Sequence, residues 1–227
     1  MFPKNLLRRI YFTIAYHLYA KHKITKTDVV RSFGFTLVVP PGVFHPNLYF
    51  SSKLLGEHVA SLDLENLNVL DIGCGSGVLS LVAASKGACV TSVDINPQAV
   101  VATIENAKRN GLTDSITTYE GNLFEPITSG LKFDYILLNP PFYLGEAKSM
   151  SELAWKGGSD YFFMSEFSKH SPAFLKVSGK ILMVLSSYMN IPHVLNFFTA
   201  QQFHLQQVRK RRTPFEQLSV YEASLSY

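Results

Sequence analysis

Residues 68–77 read Asn-Val-Leu-Asp-Ile-Gly-Cys-Gly-Ser-Gly, and this stretch decides the fold. Residues 68–72 have the length and apolar content of a short buried strand, and the apolar run at residues 77–86 predicts a helix. The glycines between them permit a tight turn and a close approach of a ligand to the backbone. A helix that begins directly after such a turn also offers free backbone amides. The stretch therefore predicts the ligand-binding turn of an α/β protein.

Strands and helices alternate on both sides of this turn. Upstream, residues 33–39 alternate as a strand, and Ser51 or Ser52 is the predicted cap of a helix that reaches about residue 60. Downstream, the patterns predict a strand at 88–94, a helix at 97–110, strands at 116–119 and 133–138, a helix at 161–175 and a strand at 180–186. This alternation predicts an α/β fold of Rossmann-like type, with a mostly parallel twisted sheet and helices on both faces. In such sheets ligands bind beyond the carboxyl ends of the strands.

The composition is that of a globular domain. The chain has 227 residues, of which 47% are hydrophobic and 17% charged, and we find no repeat or low-complexity segment. Disordered, collagen-like, coiled-coil and solenoid proteins are thereby excluded. The longest apolar stretches have about ten residues, short of the roughly 18 that a membrane-spanning helix needs, so we expect no membrane partner. Cys74 and Cys89 are too few for a disulfide framework, which leads us to expect a cytoplasmic protein.

Positive charge is concentrated at the two ends of the sequence. Residues 1–31 and 209–227 together hold 11 basic and 3 acidic residues, whereas the remainder holds 10 basic and 14 acidic ones. We interpret residues 1–32 as a basic N-terminal helical extension and residues 33–227 as the main domain. Residues 6–20 resemble a signal peptide only loosely, because tyrosine and histidine interrupt them and no small-residue cleavage site follows. The basic ends either attract RNA, DNA or another anionic partner or form a solvated surface without a partner.

An acid and three glycines in the turn indicate an adenosine-containing cofactor. Asp71 is followed by Gly73, Gly75 and Gly77, in the pattern G-x-G-x-G. A dinucleotide-binding turn has G-x-G-x-x-G, and Val78 occupies the position of its third glycine, which disfavours a nicotinamide enzyme. The pattern with its preceding acid is similar to the first motif of class I S-adenosylmethionine-dependent methyltransferases. A tight strand-to-helix turn without a ligand is the alternative.

Two later strand ends carry further candidates for the cofactor site. Asp94 ends a predicted strand 21 residues after Gly73, where a carboxylate can accept hydrogen bonds from ribose hydroxyls. Asn122 follows the next strand, and its side-chain oxygen can accept from an adenine amino group. We assign Ile95 and Leu123, the residues that follow them, to the same site. Asp94 can also cap the next helix, and Asn122 can be a turn residue.

The candidate catalytic segment is Asn139-Pro140-Pro141-Phe142, directly after the predicted strand at 133–138. Two prolines make the backbone rigid and remove two donors, so carbonyl oxygens there face outward as acceptors. The Asn139 side-chain oxygen and the Pro140 carbonyl can accept the two hydrogens of a planar amide or aromatic amine. Pro141 and Phe142 are assigned to the substrate site, where the Phe142 ring can pack on the flat group. Proximity, in-line geometry and charge relief on the nitrogen then allow methyl transfer without a strong base.

From about residue 38 to residue 219 the sequence resembles the HemK-like amino-methyltransferases, especially the compact branch that methylates a glutamine of translation release factors. The segments that carry the resemblance lie at residues 69–77, 93–96, 133–142, 154–158 and 190–192. The segment Ala154-Trp-Lys-Gly-Gly158 separates that branch from other Asn-Pro-Pro enzymes. The resemblance assigns Trp155 to a substrate lid, and a loop with a core tryptophan is the alternative.

Two positions depart from the compact branch. Phe142 stands where HemK-type glutamine enzymes carry Tyr, and Phe is more typical of ribosomal-RNA base methyltransferases. Residues 45–49 lack the acidic residues that the branch has there. His45 is expected to be a surface histidine, with a contact to the cofactor as the alternative.

The resemblance implies an S-adenosylmethionine-dependent N-methyltransferase that acts on a glutamine of a release-factor-like protein, with or without an activating subunit. Methylation of an exocyclic amine on an RNA or DNA base is the alternative, which the basic ends and Phe142 favour. A non-catalytic adenosylmethionine-binding module is a further alternative, which the complete segment at residues 139–142 disfavours. We predict no metal site and no hydrolase, because the sequence has neither His-Glu-x-x-His nor Gly-x-Ser-x-Gly.

Overall fold

A computed structural model describes residues 26–213 and 216–226. Its strands are β1 (Asp28–Ser32), β2 (Phe35–Val39), β3 (Asn68–Ile72), β4 (Cys89–Asp94), β5 (Ile116–Glu120), β6 (Phe133–Leu138), β7 (Leu175–Ser186), β8 (Phe203–Arg212) and β9 (Gln217–Leu225). Its α-helices are α1 (Phe50–Val59), α2 (Val78–Ala84), α3 (Pro97–Arg109), α4 (Met150–Leu153), α5 (Phe162–His170) and α6 (Ile191–Thr199). The predicted alternation from β3 to β7 is confirmed.

Within the described residues, seven strands form one sheet in the order β5-β4-β3-β6-β7-β9-β8. The five strands from β3 to β7 are parallel, and β9 is antiparallel to both β7 and β8. The predicted mostly parallel α/β fold of Rossmann-like type is therefore confirmed. The strands β8 and β9 were not predicted. β8 is an edge strand with mostly polar residues, so it lacks the apolar alternation of a half-buried strand.

Successive residues of the central strands serve opposite faces of the sheet. Leu137 packs on one face with the helices α1, α2 and α3, while its neighbours Ile136 and Leu138 pack on the other face with α5 and α6. Side chains of a strand alternate between faces, so both faces of β6 need an apolar cover. All three side chains are buried, and β6 is thereby held rigidly at the centre of the sheet.

A hairpin formed by β1 and β2 lies outside the main sheet and packs on α3. The side chain of Asn106 accepts a hydrogen bond from the Val38 amide at 2.8 Å and donates one to the Val38 carbonyl at 2.9 Å. The prediction of a helical extension is wrong for Asp28–Ser32, which is a strand that pairs with Phe35–Val39. The boundary between residues 32 and 33 falls in the turn of this hairpin. The helix predicted within residues 1–25 lies outside the described residues.

Two smaller predictions about the segment before β3 are wrong. The N-cap of α1 is Tyr49, which makes no side-chain capping bond, whereas Ser51 and Ser52 lie inside the first turn and are buried. His45 is also buried, with 2% of its surface exposed, and its Nε2 lies 3.1 Å from the carboxylate of Asp28 on the hairpin. Both differences arise because this segment packs under the hairpin and against the sheet, contacts that local sequence patterns do not report.

Candidate functional site

The carboxyl ends of β3, β4 and β6 meet at one pocket. Its walls come from the loop before α1, the turn after β3, the end of β4, the segment after β6 and residues near α4 and α5. Among the predicted site residues, those that line the pocket are Gly73, Gly75, Asp94, Ile95, Asn139 and Pro141. The structure thus brings the predicted cofactor and catalytic segments into one cavity, where the strand order requires it.

The glycine turn after β3 adopts a backbone that side chains rarely accept. Gly73 and Gly75 have φ angles of +72° and +57°, and a Cβ atom on Gly73 would meet no atom within 4 Å. The turn therefore leaves open space over its backbone. Gly77 also has a positive φ, +78°, and its Cβ would in addition lie 2.9 Å from Cγ2 and 3.2 Å from Cα of Thr103 on α3. Gly77 is required for the close packing of α2 against α3 and does not line the pocket.

Asp94 ties the end of β4 to the glycine turn. Its Oδ2 accepts a hydrogen bond from the Gly75 amide at 2.9 Å, and its Oδ1 accepts one from the Asn96 amide at the same distance. Burial raises the pKa of this carboxyl above its usual value, although the two amide hydrogen bonds oppose the shift. A carboxylate oriented by two backbone amides still has lone pairs for ligand hydroxyls. Asn96, not Asp94, caps α3 by accepting from the Gln98 amide.

Asp71 is placed differently from the other predicted cofactor residues. It is 1% exposed and does not line the pocket, and its Oδ2 accepts a hydrogen bond from Ser80 Oγ at 2.5 Å. Ser92 donates to the same Ser80 hydroxyl at 2.8 Å. Burial raises the pKa of Asp71 to about 6, chiefly because the charged form is removed from water. Asp71 therefore braces β3 against α2 and β4 beneath the turn.

The predicted adenine-binding residues line an adjoining pocket. Asn122 and Leu123 lie there with Ile95, which also lines the first pocket and so connects the two. The Asn122 Nδ2 donates to Glu125 Oε1 at 3.4 Å, a long hydrogen bond that orients the amide. Leu123 has a φ of +51°, a strained conformation for a residue with a side chain. Strained residues often lie at ligand-binding sites, and the cofactor role of Asn122 and Leu123 stays a prediction.

The Asn139 side chain is held by a residue from another element. Its Nδ2 donates to Ser52 Oγ on α1 at 3.0 Å, and both residues line the pocket. With the amide nitrogen bonded to Ser52, the amide oxygen can accept a hydrogen bond from a ligand. Pro140 and Pro141 are buried, and Pro141 reaches the pocket wall. Phe142 is half-buried and packs against the apolar clusters of both sheet faces, so it anchors the segment in the core and does not line the pocket.

A lid segment, residues 143–158, covers the pocket and is joined to the backbone that follows Phe142. The Tyr143 amide donates to the Trp155 carbonyl, and the Gly157 amide donates to the Tyr143 carbonyl, both at 2.9 Å. The Gly145 amide donates to the Gly158 carbonyl at 3.0 Å. These bonds hold the segment around Trp155 directly beside the candidate catalytic segment, and the substrate-lid role of Trp155 stays a prediction.

The Trp155 ring closes the lid on the opposite wall. Its centroid lies 5.0 Å from that of Phe44 and 4.5 Å from that of Tyr49, in the loop before α1. Tilted aromatic contacts at these distances are favourable. Trp155 does not line the pocket that contains Asn139, so it supports the lid from outside that cavity. The apolar side of the pocket beneath the lid segment is lined by Met150 and Leu153 of α4 and by Phe163 of α5.

Other pocket residues, from several elements, were not predicted as site residues. Ser52 was interpreted only as a cap, Phe44, Met150 and Leu153 lie in a loop or a short helix without a clear period, and Phe163 was interpreted only as part of a helix. The paired serines at 51–52 before an apolar run were the one available indication. The described residues contain no cluster of three His, Cys, Asp or Glu side chains and no helix long and apolar enough to cross a membrane.

The fold and the pocket define a class I S-adenosylmethionine-dependent methyltransferase. The chain belongs to the methyltransferase small domain family, whose model matches residues 34–215. A protein of Methanocaldococcus jannaschii with the provisional name protein N5-glutamine methyltransferase is 34% identical over 202 residues, which cover 86% of this chain and 98% of that protein.

Solved structures agree with this fold. The 16S rRNA N2 G1207 methyltransferase of T. thermophilus, in complex with AdoMet and guanosine, superposes with a TM-score of 0.65 at 23% identity, over 88% of this chain and 50% of its own. Mtq2 in the E. cuniculi complex responsible for methylation of the eRF1 translation termination factor gives a TM-score of 0.60 at 17% identity, over 82% of this chain and 99% of that chain. At these identities the likeness shows the fold alone.

The cofactor is S-adenosylmethionine, and the pocket residues fit it. Among the described residues that line the cavity, Asp94 carries the only formal charge at neutral pH. S-adenosylmethionine has a net positive charge, because its sulfonium and amino groups outnumber its carboxylate, so a pocket with one carboxylate suits it. A dinucleotide with its negative pyrophosphate would meet Asp94 without a neighbouring lysine or arginine in the wall. The open backbone at Gly73 supplies the close approach that the cofactor needs.

Proposed function

We propose that this methyltransferase acts on the side-chain amide nitrogen of a glutamine in a release-factor-like protein. The observation that carries the proposal is the hydrogen bond of the Asn139 amide nitrogen to Ser52 at the pocket wall, which leaves the amide oxygen able to accept from a ligand. An acceptor oxygen at that position recognises an N–H donor. A glutamine amide presents two such hydrogens on a planar nitrogen.

The pocket can perform this reaction with few groups. Bound S-adenosylmethionine supplies an electrophilic methyl group on a positively charged sulfur. Asn139 accepts one hydrogen of the amide, fixes its plane and stabilises the positive charge that develops on the nitrogen. The lid segment excludes water from the cavity, which strengthens these interactions. The amide nitrogen would take the methyl group that the cofactor supplies, the cofactor would leave as the neutral thioether, and the proton that the nitrogen loses would pass to solvent.

The preference for a protein acceptor rests on the relatives matched over nearly their whole length. The M. jannaschii protein named as an N5-glutamine methyltransferase is matched over 98% of its length, and Mtq2, whose complex methylates a translation termination factor, over 99%. The rRNA enzyme is matched over half of its own chain. By the same analogy, an activating partner subunit and a cytoplasmic location belong to the proposal.

A nucleic-acid base is the second candidate, favoured by Phe142 and by the position of the basic run at residues 209–212. β8 runs in the same direction as β7, so the end of β8 that carries this run lies at the same edge of the sheet as the pocket. Lys210 and Arg212 are exposed there, whereas Arg209 and Arg211 both contact Glu57. Exposed cations beside an active site attract a phosphate backbone as well as an acidic protein surface.

Analysis of the methylated product distinguishes the two candidate substrates, a protein glutamine and a nucleic-acid base. A purified translation release factor is incubated with the enzyme and S-adenosylmethionine, and tryptic peptides are examined for methylglutamine by mass spectrometry. A release factor in which the modified glutamine is replaced by asparagine is the matched control. Total RNA treated in the same way is digested to nucleosides. We expect a methylated glutamine and unchanged RNA, whereas a methylated base and an unmodified release factor would replace the proposal with the second candidate.

A further inference from the structure

We infer that Ser52 is a positioning residue for methyl transfer, which holds the Asn139 side chain in place towards the substrate. The inference rests on the proposed role of Asn139 and deepens it. The Ser52 hydroxyl accepts the hydrogen bond from Asn139 Nδ2 at 3.0 Å, across 87 positions of sequence. Ser52 is 3% exposed on the first turn of α1, so the contact is shielded from water.

The two ends of a carboxamide are nearly isosteric. One end is an acceptor and the other carries two donors, and the chain must distinguish them without help from shape. If the amide of Asn139 were reversed, its NH₂ group would face the NH₂ group of the substrate, and no hydrogen bond could form between two donors. A serine hydroxyl both donates and accepts, so Ser52 can pair with either end of the amide. It fixes the position and the plane of the Asn139 side chain, and the N–H of the substrate then favours the orientation that presents the oxygen.

The position of Ser52 explains how the Asn139 side chain is held in place relative to the cofactor site. α1 packs on the sheet, where Leu54 and Leu55 are 1% and 0% exposed, so the Ser52 hydroxyl stands on a fixed element. β6 is fixed equally by its two buried faces. Asn139 is therefore held between two rigid elements instead of by its own loop. Methyl transfer requires in-line geometry, so precise placement of the Asn139 amide is expected to raise the rate by a large factor.

The neighbouring serine provides a matched control. Ser51 is 2% exposed on the same helical turn, and its Oγ has no hydrogen-bond partner among the described residues. Ser51→Ala and Ser52→Ala therefore delete the same buried group from adjacent positions, and only the second removes the hydrogen bond to Asn139. Ser52→Thr keeps the hydroxyl and tests rescue.

The inference is tested by two measurements on the full chain. First, side-chain amide ¹⁵N–¹H signals of Asn139, identified by their loss in Asn139→Asp, are recorded without an acceptor. We expect them to shift and to exchange faster with solvent in Ser52→Ala but not in Ser51→Ala. Second, methyl transfer is measured with the protein or RNA fraction that accepts label. We expect Ser52→Ala to lower kcat about tenfold, with the KM for S-adenosylmethionine nearly unchanged, and Ser52→Thr to recover most of the activity.

Unchanged Asn139 signals in Ser52→Ala, or equal kcat in the two alanine variants, would overturn the inference. The spectra need no acceptor, so they decide the role of Ser52 even if the protein methylates none of the tested fractions. That last outcome would count against the proposed function and leave the spectroscopic result standing.

Discussion

The carboxylate of Asp94 accepts a hydrogen bond from the backbone amide of Gly75 at 2.9 Å, so the acid at the end of β4 is joined to the glycine turn at the end of β3. The two predicted cofactor segments thus form one rigid unit before any ligand arrives. Preorganisation of this kind lowers the cost of ordering groups on binding. It also makes Asp94 the residue whose loss affects cofactor binding most directly.

Asp94→Ala is expected to weaken the binding of S-adenosylmethionine by about 1.5–3 kcal/mol, the range for loss of hydrogen bonds to a charged group. Isothermal titration calorimetry measures it, with the exposed Asp114→Ala as a control of equal charge change. Binding by Asp94→Ala as tight as by the parent protein would show that the ribose is held elsewhere.

The pH dependence of cofactor binding follows from the same carboxyl. Burial raises the pKa of Asp94, so its ionised form is lost at a higher pH than that of an exposed aspartate. Affinity for S-adenosylmethionine should therefore fall as the pH is lowered towards the acidic range. Asp94→Ala should lack this component, and a parallel fall in parent and variant would assign it to another group.

Asn139→Ala is expected to reduce kcat by about 100-fold or more, the scale of losing one preorganised group in an active site. Cofactor affinity should change much less, because Asn139 addresses the acceptor nitrogen. Initial rates with radiolabelled S-adenosylmethionine test the first statement and calorimetry the second. A variant that retains a tenth of the parental rate would mean that another group orients the substrate.

The raised pKa of Asp71 predicts that the free energy of unfolding depends on pH. Its pKa is about 6 in the folded protein and 3.8 in the unfolded chain, so the folded state binds the proton more tightly. The resulting stabilisation is complete below the unfolded pKa and is lost as the pH rises through about 6, a change of about 3 kcal/mol for this group. Urea unfolding at several pH values measures it.

Asp71→Asn removes the titrating group and is expected to flatten the fall in unfolding free energy between about pH 4 and about pH 7. A pH profile of Asp71→Asn with the same slope as the parent profile would contradict the assigned pKa.

Neutralisation of the exposed cations at the end of β8 is expected to distinguish the acceptor classes. With a protein acceptor, Lys210→Gln with Arg212→Gln should slow association and reduce its salt sensitivity, while kcat is retained. With a nucleic acid, affinity should fall steeply and the salt slope should flatten by about 0.7–0.9 for each phosphate that is no longer neutralised. Lys86→Gln, an exposed lysine after α2, is the control.

Local sequence patterns were sufficient to predict the helices and strands whose apolar residues recur at a regular spacing. β3, β4 and β6 are short buried strands, and the turn at Gly73 and Gly75 requires glycine, so their mutual position at one sheet edge could be predicted. The strand β8 could not be predicted, because its residues are mostly polar and do not alternate with apolar ones. The hydrogen bond between Ser52 and Asn139 joins residues far apart in sequence, and no local pattern reports such a contact.

Two predicted site residues illustrate the same limit. Gly77 and Asp71 belong to the glycine motif, yet both act beneath the turn, Gly77 by close packing on Thr103 and Asp71 through Ser80. A motif records which residue types a turn needs. It does not distinguish those that contact the ligand from those that brace the backbone.

The most direct test of the central claim is the transfer of label from radiolabelled S-adenosylmethionine to a cell extract by the parent protein and by Asn139→Ala. After transfer, separate portions are digested with protease and with nuclease, and the label that remains in macromolecules is counted. We predict label that depends on Asn139, is released by protease and is found in methylglutamine. Label released only by nuclease, or equal labelling by parent and variant, would contradict this claim.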